Sequence, residues 1–420
     1  MECTNRATSQ AWRGMRLSRL FVMLSLAMML PLFVALAQFR AIVGILNTYD
    51  DNTFRNNLRL ADNITTVPLS LEYQPPESNF TWFVGSTASF FREFSNRRYF
   101  ANSVGLSYAK PFGEQEENAW YAGGTYFFRL NKQPYNFYDF RQVLAYANAK
   151  YYLDFENGLM TRMGYRFRYR AYANLDELSY SDHSVFIQFS KFLESKTTLI
   201  AELQLGNKLY ISSPQTTLSG RSSSASGGMM GSGEMWGERV NTGMGSTMSV
   251  VSYDNPATTQ LTGTLRVAQS LTSSTGLSLQ YLARGNISPR TRFISNGGAD
   301  YLSDEELWDD PYGYESNEWS LTLTQVLPWE MTGRAVGESS SKLYSRSIFL
   351  PGDTDVPTGP SRADKRFTMT VEIKKSFDRL LGILDDVVFS LGYFYLQNES
   401  NDTYYRFRNN SFSLGVSKQF

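Results

Sequence analysis

Four consecutive residues, Ser181-Asp182-His183-Ser184, place a hydroxyl nucleophile, a carboxylate and the only histidine of the chain side by side. Acyl-transfer chemistry needs such groups to converge on one point in space. Neighbouring residues of an extended strand instead point to opposite faces. We therefore predict no catalytic residues and no enzymatic activity, and we interpret His183 as an exposed residue at the rim of a strand.

Sulfur and carboxylate groups suggest two possible metal sites. Thioethers bind copper(I), and several methionines lie in a Gly- and Ser-rich stretch at 219–249, but their spacing is irregular and no His or Cys accompanies them. Clustered carboxylates bind calcium, but the acidic group near residues 300–310 lacks EF-hand spacing. We predict a flexible loop and a solvated acidic face, and neither a metal ion nor a cofactor. The acidic residues are Asp300, Asp304, Glu305, Glu306, Asp309 and Asp310.

Four arginines share one face of a predicted strand at 159–174. They are Arg162, Arg166, Arg168 and Arg170, and the opposite face carries Met163, Tyr165, Phe167, Tyr169 and Ala171. An arginine that faces lipid at mid-membrane costs about 2–4 kcal/mol, so the arginine face must meet water or a filled interior. Two interpretations stay open: a stripe that attracts anions, or a brace that pairs with carboxylates such as Glu202. The pattern favours the brace.

Other charged residues fall on the same predicted inner face of their own strands. Together with the arginine stripe they form the predicted pore lining: Arg162, Arg166, Arg168, Arg170, Glu202, Arg129, Arg266 and Glu372.

The elements that would position these residues are about sixteen segments of alternating polarity between Ala41 and Phe420. Long connections at 51–64, 212–257, 288–317 and 350–364 alternate with short ones, so every long connection falls on the same side of an up-and-down arrangement. Short turns on one side and long loops on the other are typical of a transmembrane β-barrel. We predict that fold over a soluble β-sandwich. The segments are 41–50, 65–73, 80–91, 99–110, 119–130, 140–153, 159–174, 184–193, 197–211, 258–271, 276–287, 318–327, 332–349, 365–377, 387–397 and 404–420.

The last segment, Ser411–Phe420, alternates apolar residues with small or polar ones and ends on an aromatic residue. It resembles the closing strand of bacterial outer-membrane β-barrel proteins. The resemblance implies two partners: the lipid of the outer membrane, and the barrel-assembly machinery, which would recognise the strand that ends at Phe420. A second stretch, Tyr49-Asp-Asp-Asn-Thr-Phe-Arg55, resembles a segment of β-barrel porins from exopolysaccharide-type operons, and this implies passage or export of solutes or glycans.

Residues 1–37 have the parts of a secretory signal peptide. Arg13, Arg16 and Arg19 precede an apolar run at 20–36, and Ala35-Leu36-Ala37 forms a cleavage site. We expect cleavage after Ala37, with an uncleaved anchor as the alternative. Met15 would give a leader of usual proportions, and residues 1–14 would then be a mis-called start. The mature barrel would span 38–420, with long outer loops at 212–257 and 288–317.

Composition narrows the function. Lys plus Arg and Asp plus Glu both number 40, so no excess positive charge indicates a nucleic-acid partner. Aromatic residues make up 15% of the chain, which suits girdles at two lipid interfaces. We expect a passive porin-like channel for small polar solutes in the outer membrane of a Gram-negative bacterium. The alternative is a non-conducting envelope protein that acts through its long outer loops as a receptor, an adhesin or a partner in polymer export.

Overall fold

A computed structural model describes residues 39–156, 158–211, 250–251, 257–288, 293–294, 309–348, 358–380 and 384–420. The predicted leader at 1–37, the methionine-rich stretch and most of the loops at 212–257 and 288–317 lie outside these residues. The helical elements of the described residues are short 3₁₀ turns, and none of them is long and apolar enough to cross a membrane.

Sixteen long strands form one closed antiparallel barrel, in which each strand pairs with its neighbours in the sequence and the last pairs with the first. The predicted fold class is therefore confirmed. Two further strands, Val250–Val251 and Phe293–Ile294, pair only with each other. The barrel strands are β1 Phe39–Asp50, β2 Asp62–Tyr73, β3 Phe80–Phe91, β4 Tyr99–Phe112, β5 Asn118–Asn131, β6 Phe140–Asp154, β7 Leu159–Tyr172, β8 Tyr180–Phe192, β9 Thr197–Tyr210, β10 Ala257–Ser270, β11 Thr275–Ser288, β12 Tyr314–Leu327, β13 Met331–Ser347, β14 Ser361–Leu380, β15 Leu384–Ser400 and β16 Phe407–Gln419.

Closure joins the two ends of the chain. The register between β1 and β16 runs from Ile42 opposite Gln419 to Asp50 opposite Ser411. The backbone N–H of Phe420 also donates to the carbonyl of Ala41 at 2.8 Å. An open sheet would leave one row of unpaired backbone groups at each edge, and closure satisfies both rows.

The pairing register divides the side chains into an inner and an outer set. Even-numbered residues face inward on β1, β2 and β6–β15, and odd-numbered residues face inward on β3–β5 and β16. Nearly all the exposed large apolar side chains of the strands belong to the outer set. The exceptions, Phe192 and Val326, lie at strand ends. The molecule therefore presents an apolar surface all around the outside of the ring.

The two ends of the barrel differ in their connections and in their packing. One end has only short connections, such as 193–196, 271–274 and 328–330, and is called the short-turn end. The opposite end, called the long-loop end, carries the connections 211–256, 289–313 and 348–360. Many of the largest fully buried side chains belong to this second end, among them Tyr135, Tyr180, Phe54 and Arg362.

Candidate functional site

The structure places all eight residues of the predicted lining at inner-face positions. Arg162 and Glu202 flank Gln188 on adjacent strands, because Arg162 is opposite Gln188 on β8 and Gln188 is opposite Glu202 on β9. The other members are spread around the ring, with Arg129 on β5, Arg266 on β10 and Glu372 on β14. The lining therefore consists of one dense stripe on β7 and several isolated charges.

The four arginines of β7 differ in their partners. Arg168 forms an ion pair with Asp182 at 2.9 Å, and Arg170 donates to Gln142 at 2.6 and 3.0 Å. Arg162 donates to Asn148 at 2.9 Å. Arg166 is exposed, and no ion pair or hydrogen bond is found for it within the described ranges. Half of the stripe, nearest the long-loop end, thus braces the wall, while the other half is open to the lumen.

The carboxylates of the lining do not neutralise these arginines. Glu202 accepts a hydrogen bond from Gln188 at 3.0 Å, so the predicted brace between Glu202 and the stripe is wrong, and Asp182 takes that role with Arg168. Glu372 pairs with Lys374 at 2.9 Å, two residues along the same face.

The two remaining basic residues of the lining, Arg266 and Arg129, contact neutral side chains. Arg266 donates to the hydroxyl of Ser278 at 2.9 Å. The guanidinium of Arg129 lies 4.0 Å from the ring centre of Tyr99, at cation–π distance.

A cavity of about 370 Å³ lies against this wall, between β5 and β9. Arg162, Arg166 and Glu202 line it together with the amides of Gln188 and Gln204. Inner aromatic rings lie close to glycines of adjacent strands: a Cβ added to Gly164 would come within 2.8 Å of the Phe186 ring, and one added to Gly123 would lie 2.7 Å from the Tyr146 hydroxyl. The inward-facing aromatic members of the lining are Tyr121, Tyr146 and Phe186.

A cluster of buried apolar and aromatic residues lies at the long-loop end and is called the aromatic cap. It packs five short connections against inward-facing side chains at the ends of the neighbouring strands. Burial of each large side chain of this kind stabilises the fold by about 1.5–3 kcal/mol. The cap therefore fixes these connections against one another and narrows the lumen next to β1–β9. Its buried core is Phe54, Tyr135, Phe137, Tyr138, Tyr172, Leu175, Leu178 and Tyr180, and Leu60, Phe94, Phe140, Tyr210 and Tyr404 pack against it.

A second group of residues, called the strap, narrows the other side. The strap is Asp309–Tyr314, the segment that leads into β12, and it lies against inner residues of β8–β14. Its carbonyl oxygens at Pro311 and Tyr312 accept hydrogen bonds from Gln260 at 2.7 Å and Asn286 at 3.3 Å.

The charged ends of the strap side chains reach further around the ring. Asp309 accepts from Lys342 at 2.8 Å, from Arg366 at 2.8 Å and from the Tyr344 hydroxyl at 2.6 Å. Asp310 forms an ion pair with Lys208 on β9. The expected solvated acidic face is therefore wrong for Asp309 and Asp310, because cations from distant strands bind both of them.

Electrostatics fix the protonation states of the strap. Burial is the largest single influence on Asp309 and disfavours its charged form, but the positive charges of Lys342 and Arg366 and the hydrogen bonds together outweigh it, and the pKa of Asp309 lies well below its usual range. Burial and the negative charge of Asp182 raise the pKa of the Tyr312 hydroxyl. Tyr312 therefore stays protonated and donates to Asp182, which also binds Arg168.

The residues of the Ser-Asp-His-Ser stretch do not converge. Asp182 and Ser184 are buried on the inner face of β8. His183 lies on the outer face, where its Nδ1 is 2.7 Å from the Tyr165 hydroxyl. The two faces of one strand thus separate the nucleophile and the carboxylate from the histidine.

The residues of the strap and the cap were missed by sequence reasoning. Only Asp309 and Asp310 were singled out, and then as part of an acidic cluster. The one signal in the sequence was the aromatic content of the short connections, such as Tyr135-Asn-Phe-Tyr138, which is unusual for exposed turns.

Together these features define a closed sixteen-stranded β-barrel with an apolar exterior, a charged interior and a lumen narrowed at one end. No protein-family model matches the chain, and no curated protein matches it.

Among solved structures, similar chains include the outer-membrane protein OprD and two Occ proteins, all from Pseudomonas aeruginosa. OccK2 (OpdF), in a complex with glucuronate, is 11% identical, with 91% of this chain and 97% of that chain covered and a TM-score of 0.47. OprD is 11% identical, with coverage of 91% and 93% and a TM-score of 0.45. OccK10 (OpdN) is 10% identical, with coverage of 91% and 98% and a TM-score of 0.43. Because these identities and TM-scores are low, the fold is assigned from the strand pairing of this chain alone.

Proposed function

We propose that this protein is an outer-membrane channel for small polar solutes. The observation that carries the proposal is the division of faces: large apolar side chains surround the ring on the outside, while charged and amide side chains line its inside. The apolar outer surface can contact lipid, whereas the polar inner surface needs water. Barrels of sixteen strands are wide enough to hold an aqueous path.

The orientation follows from the connections. Short turns face the periplasm in barrels of this type, and longer loops face outward. The long-loop end, with its aromatic cap and strap, is then the extracellular end. The leader at 1–37 would direct export, and β16 with Phe420 would be the strand that the assembly machinery recognises.

Solutes would pass along the eight lining residues. Arg166 and Arg162 lie exposed beside the 370 Å³ cavity, where their charges favour anionic or strongly polar groups. Arg168 and Arg170, held by Asp182 and Gln142, contribute mainly to the rigidity of the wall.

One observation favours a second candidate, a non-conducting envelope protein that acts through its outer surface. The long-loop end is densely packed, with Phe54, Tyr135 and Tyr180 almost fully buried. A barrel filled in this way could serve as a rigid support for the loops.

Recordings from planar bilayers separate the two candidates. The purified mature protein, folded in detergent, is added to a bilayer in KCl, with heat-denatured protein as the control. The channel predicts stable ohmic steps, whereas consistent silence from protein that inserts and folds would favour the non-conducting support.

A further inference from the structure

The cavity on the inner wall has an aromatic ring between two cationic side chains. Arg162 and Arg166 both face inward on β7, and Gly164 lies between them on the same face. Phe186 is opposite Gly164 on β8, and a Cβ added to this glycine would come within 2.8 Å of the Phe186 ring. Because glycine has no side chain, the ring can approach the backbone of β7 there. The two arginines therefore flank an aromatic surface.

Two tyrosines bring further aromatic surface to the cavity from β5 and β6. Tyr121 is opposite Asn148, and Tyr146 is opposite Gly123. Both tyrosines line the cavity together with Phe186, and its volume is about 370 Å³. Cavities of about 300–1,000 Å³ that combine aromatic surface with a few polar groups are typical of small-molecule sites. The cavity therefore has the size and composition of a site for a small ring-shaped solute.

The polar side chains of the cavity keep hydrogen-bonding capacity that others on the inner wall have used. Gln142 accepts from Arg170 at 2.6 Å, and Gln260 donates to Asn286 at 2.9 Å. In contrast, no side-chain hydrogen bond is found within the described ranges for four polar residues that line the cavity. A bound solute can use these groups. The four residues are Arg166, Gln204, Tyr121 and Tyr146.

Charges of both signs border the cavity, and they select the kind of group that fits it. Glu202 accepts from Gln188 at 3.0 Å through one of its two carboxylate oxygens. A carboxylate or phosphate only accepts hydrogen bonds, so it would satisfy Arg166 but be repelled by Glu202. An ammonium group only donates, so the arginines would repel it. A hydroxyl group donates and accepts without a charge, and the cavity therefore favours solutes with several hydroxyl groups.

We propose that this cavity is a binding site for a neutral sugar in its pyranose form. The C–H groups of the sugar contact the three aromatic rings, whose faces carry partial negative charge. Its hydroxyl groups accept hydrogen bonds from Arg166 and Gln204 and donate to Glu202. The proposal deepens the proposed channel function: passage of the sugar rests on that function, whereas binding of the sugar does not.

The binding should be weak, because a solute that passes through a channel must also leave its site. A few hydrogen bonds to neutral hydroxyl groups each contribute little net free energy, since water offers the same groups comparable bonds. We therefore expect a dissociation constant on the order of 1 mM.

Saturation-transfer NMR on the mature protein in detergent tests the site, because this measurement detects weakly bound ligands. The neutral probes are the methyl α-glycosides of glucose, galactose and mannose, which are locked as pyranose rings. Glucuronate, glucosamine and the open-chain polyol sorbitol are the controls at matched ionic strength. We expect at least one glycoside to bind about threefold more tightly than each control. If no glycoside binds, or if a control binds as tightly as the best glycoside, the proposal is wrong.

Gln204→Leu should weaken binding of the best glycoside about fivefold, because the substitution keeps a side chain of similar size and removes its hydrogen bonds. Gln280→Leu is the matched control, since Gln280 is another half-buried inner glutamine, on β11, that lines a different concavity. A distant site should change the affinity by no more than about twofold. An unchanged affinity in Gln204→Leu, or an equal loss in Gln280→Leu, would overturn the proposal. If Gln204→Leu does not fold, Tyr121→Leu is held to the same standard.

Glu202→Gln distinguishes a sugar site from an anion site. The amide of the variant still has an oxygen that accepts from a hydroxyl group, so glycoside binding should weaken by no more than about threefold. Glucuronate should bind roughly fivefold more tightly than to the wild type, because the repulsion from the carboxylate is removed. Unchanged binding of glucuronate would contradict the selection against anions on which the proposal depends.

Bilayer recordings address the passage of the sugar. The best glycoside should interrupt the ion current of the wild type reversibly, and Gln204→Leu should shorten the interruptions. Glycoside binding by a protein that never conducts would contradict the channel function and leave the sugar site intact. Ohmic steps from a protein that binds no glycoside would contradict the sugar site and leave the channel function intact.

Discussion

At the scale of single residues, the charged groups of the lumen differ in how firmly their neighbours hold them. Arg168 and Arg170 lie near the long-loop end and bind Asp182 and Gln142. Arg166 is exposed next to the cavity. A held charge has part of its field cancelled by its partner, so Arg166 should have more influence on a passing ion than Arg168.

Exchange of Arg166→Gln should lower the preference of the channel for anions. A unit charge at about 4 Å in water contributes about 1 kcal/mol, so we expect the chloride-to-potassium permeability ratio to fall roughly two- to fivefold. The measurement is the reversal potential in a KCl gradient. Arg141→Gln is the control, since Arg141 occupies an outward position at the start of β6, and a similar shift there would argue against a local effect.

Asp309 should give the stability a distinctive pH dependence. Its folded-state pKa is depressed, so its contribution is fully present above the unfolded pKa of about 3.9 and is lost as the pH falls towards the folded value. Breaking a buried ion pair costs about 3–5 kcal/mol, and we expect Asp309→Asn to lower the unfolding free energy by that amount near pH 7. Below about pH 4 the difference from the wild type should shrink by roughly 1 kcal/mol per pH unit.

The groups that face Asp309 are Lys342, Arg366, Tyr344 and Tyr314. Side chains of these types ordinarily titrate near pH 10 or above, so none should interfere between pH 3 and 7. Urea unfolding of the detergent-folded protein at several pH values gives the difference. A difference that disappears already at pH 6 would show that Asp309 does not have a depressed pKa.

At the scale of elements, the strap depends on a glycine beneath it. A Cβ added to Gly206 would lie 2.4 Å from the Tyr312 hydroxyl oxygen and 3.1 Å from the ring carbon that carries it, and a rigid ring cannot move one end alone. Gly206→Ala should therefore lift the strap without a change in charge. Gly263 on β10 is the matched control, because a Cβ added there meets nothing within 4 Å.

Chymotrypsin reports the lifted strap, because it cleaves after aromatic residues such as Tyr312. Overpacking of this kind costs about 1–3 kcal/mol and should raise the population of the open strap. The rate of cleavage follows that population, so we expect cleavage after Tyr312 to be at least tenfold faster in Gly206→Ala than in the wild type. Mass spectrometry identifies the site. Equal rates in Gly206→Ala and Gly263→Ala would mean that Tyr312 does not pack on Gly206.

The environment of each strand explains which strands and strand ends the sequence could predict. Period-two alternation identified the sixteen strands, because each strand has one face in contact with apolar surroundings and the other with polar ones. Strand ends at the long-loop end were placed less well: β8 begins at Tyr180 and β12 at Tyr314, several residues before the predicted starts. At these ends the cap and the strap cover the inner face, and outward positions carry polar residues such as Ser181, Glu315 and Asn317, so the alternation of apolar and polar residues is lost.

The partners of the strap could not be predicted from one sequence. Asp310 and Lys208 are 102 residues apart, and Asp309 and Arg366 are 57 apart. Only the folded wall of β9–β14, in which each strand pairs with the next, brings β9 and β14 to the same loop segment. The acidic cluster was visible as a composition, but its neutralisation depends on tertiary structure.

At the scale of the whole molecule, the position of a side chain relative to the ring decides its surroundings. Ser320 and Leu321 are adjacent near the middle of β12, and they point to the inside and the outside. Ser320 lines a polar concavity together with Glu318 and Glu338. Leu321 is 48% exposed on the outer face, where a membrane barrel meets acyl chains.

A pair of arginine substitutions should distinguish the outer surface at Leu321 from the lumen at Ser320. Leu321→Arg places a charge at mid-barrel in lipid and should lower the unfolding free energy by about 2–4 kcal/mol. Ser320→Arg places the same charge in the lumen beside two carboxylates and should cost less than about 1 kcal/mol, since lumen positions tolerate charge. Urea unfolding from lipid vesicles measures both values. If the two variants lost equal stability, or if Ser320→Arg lost more, the outer face of the ring would not be the surface that meets the membrane.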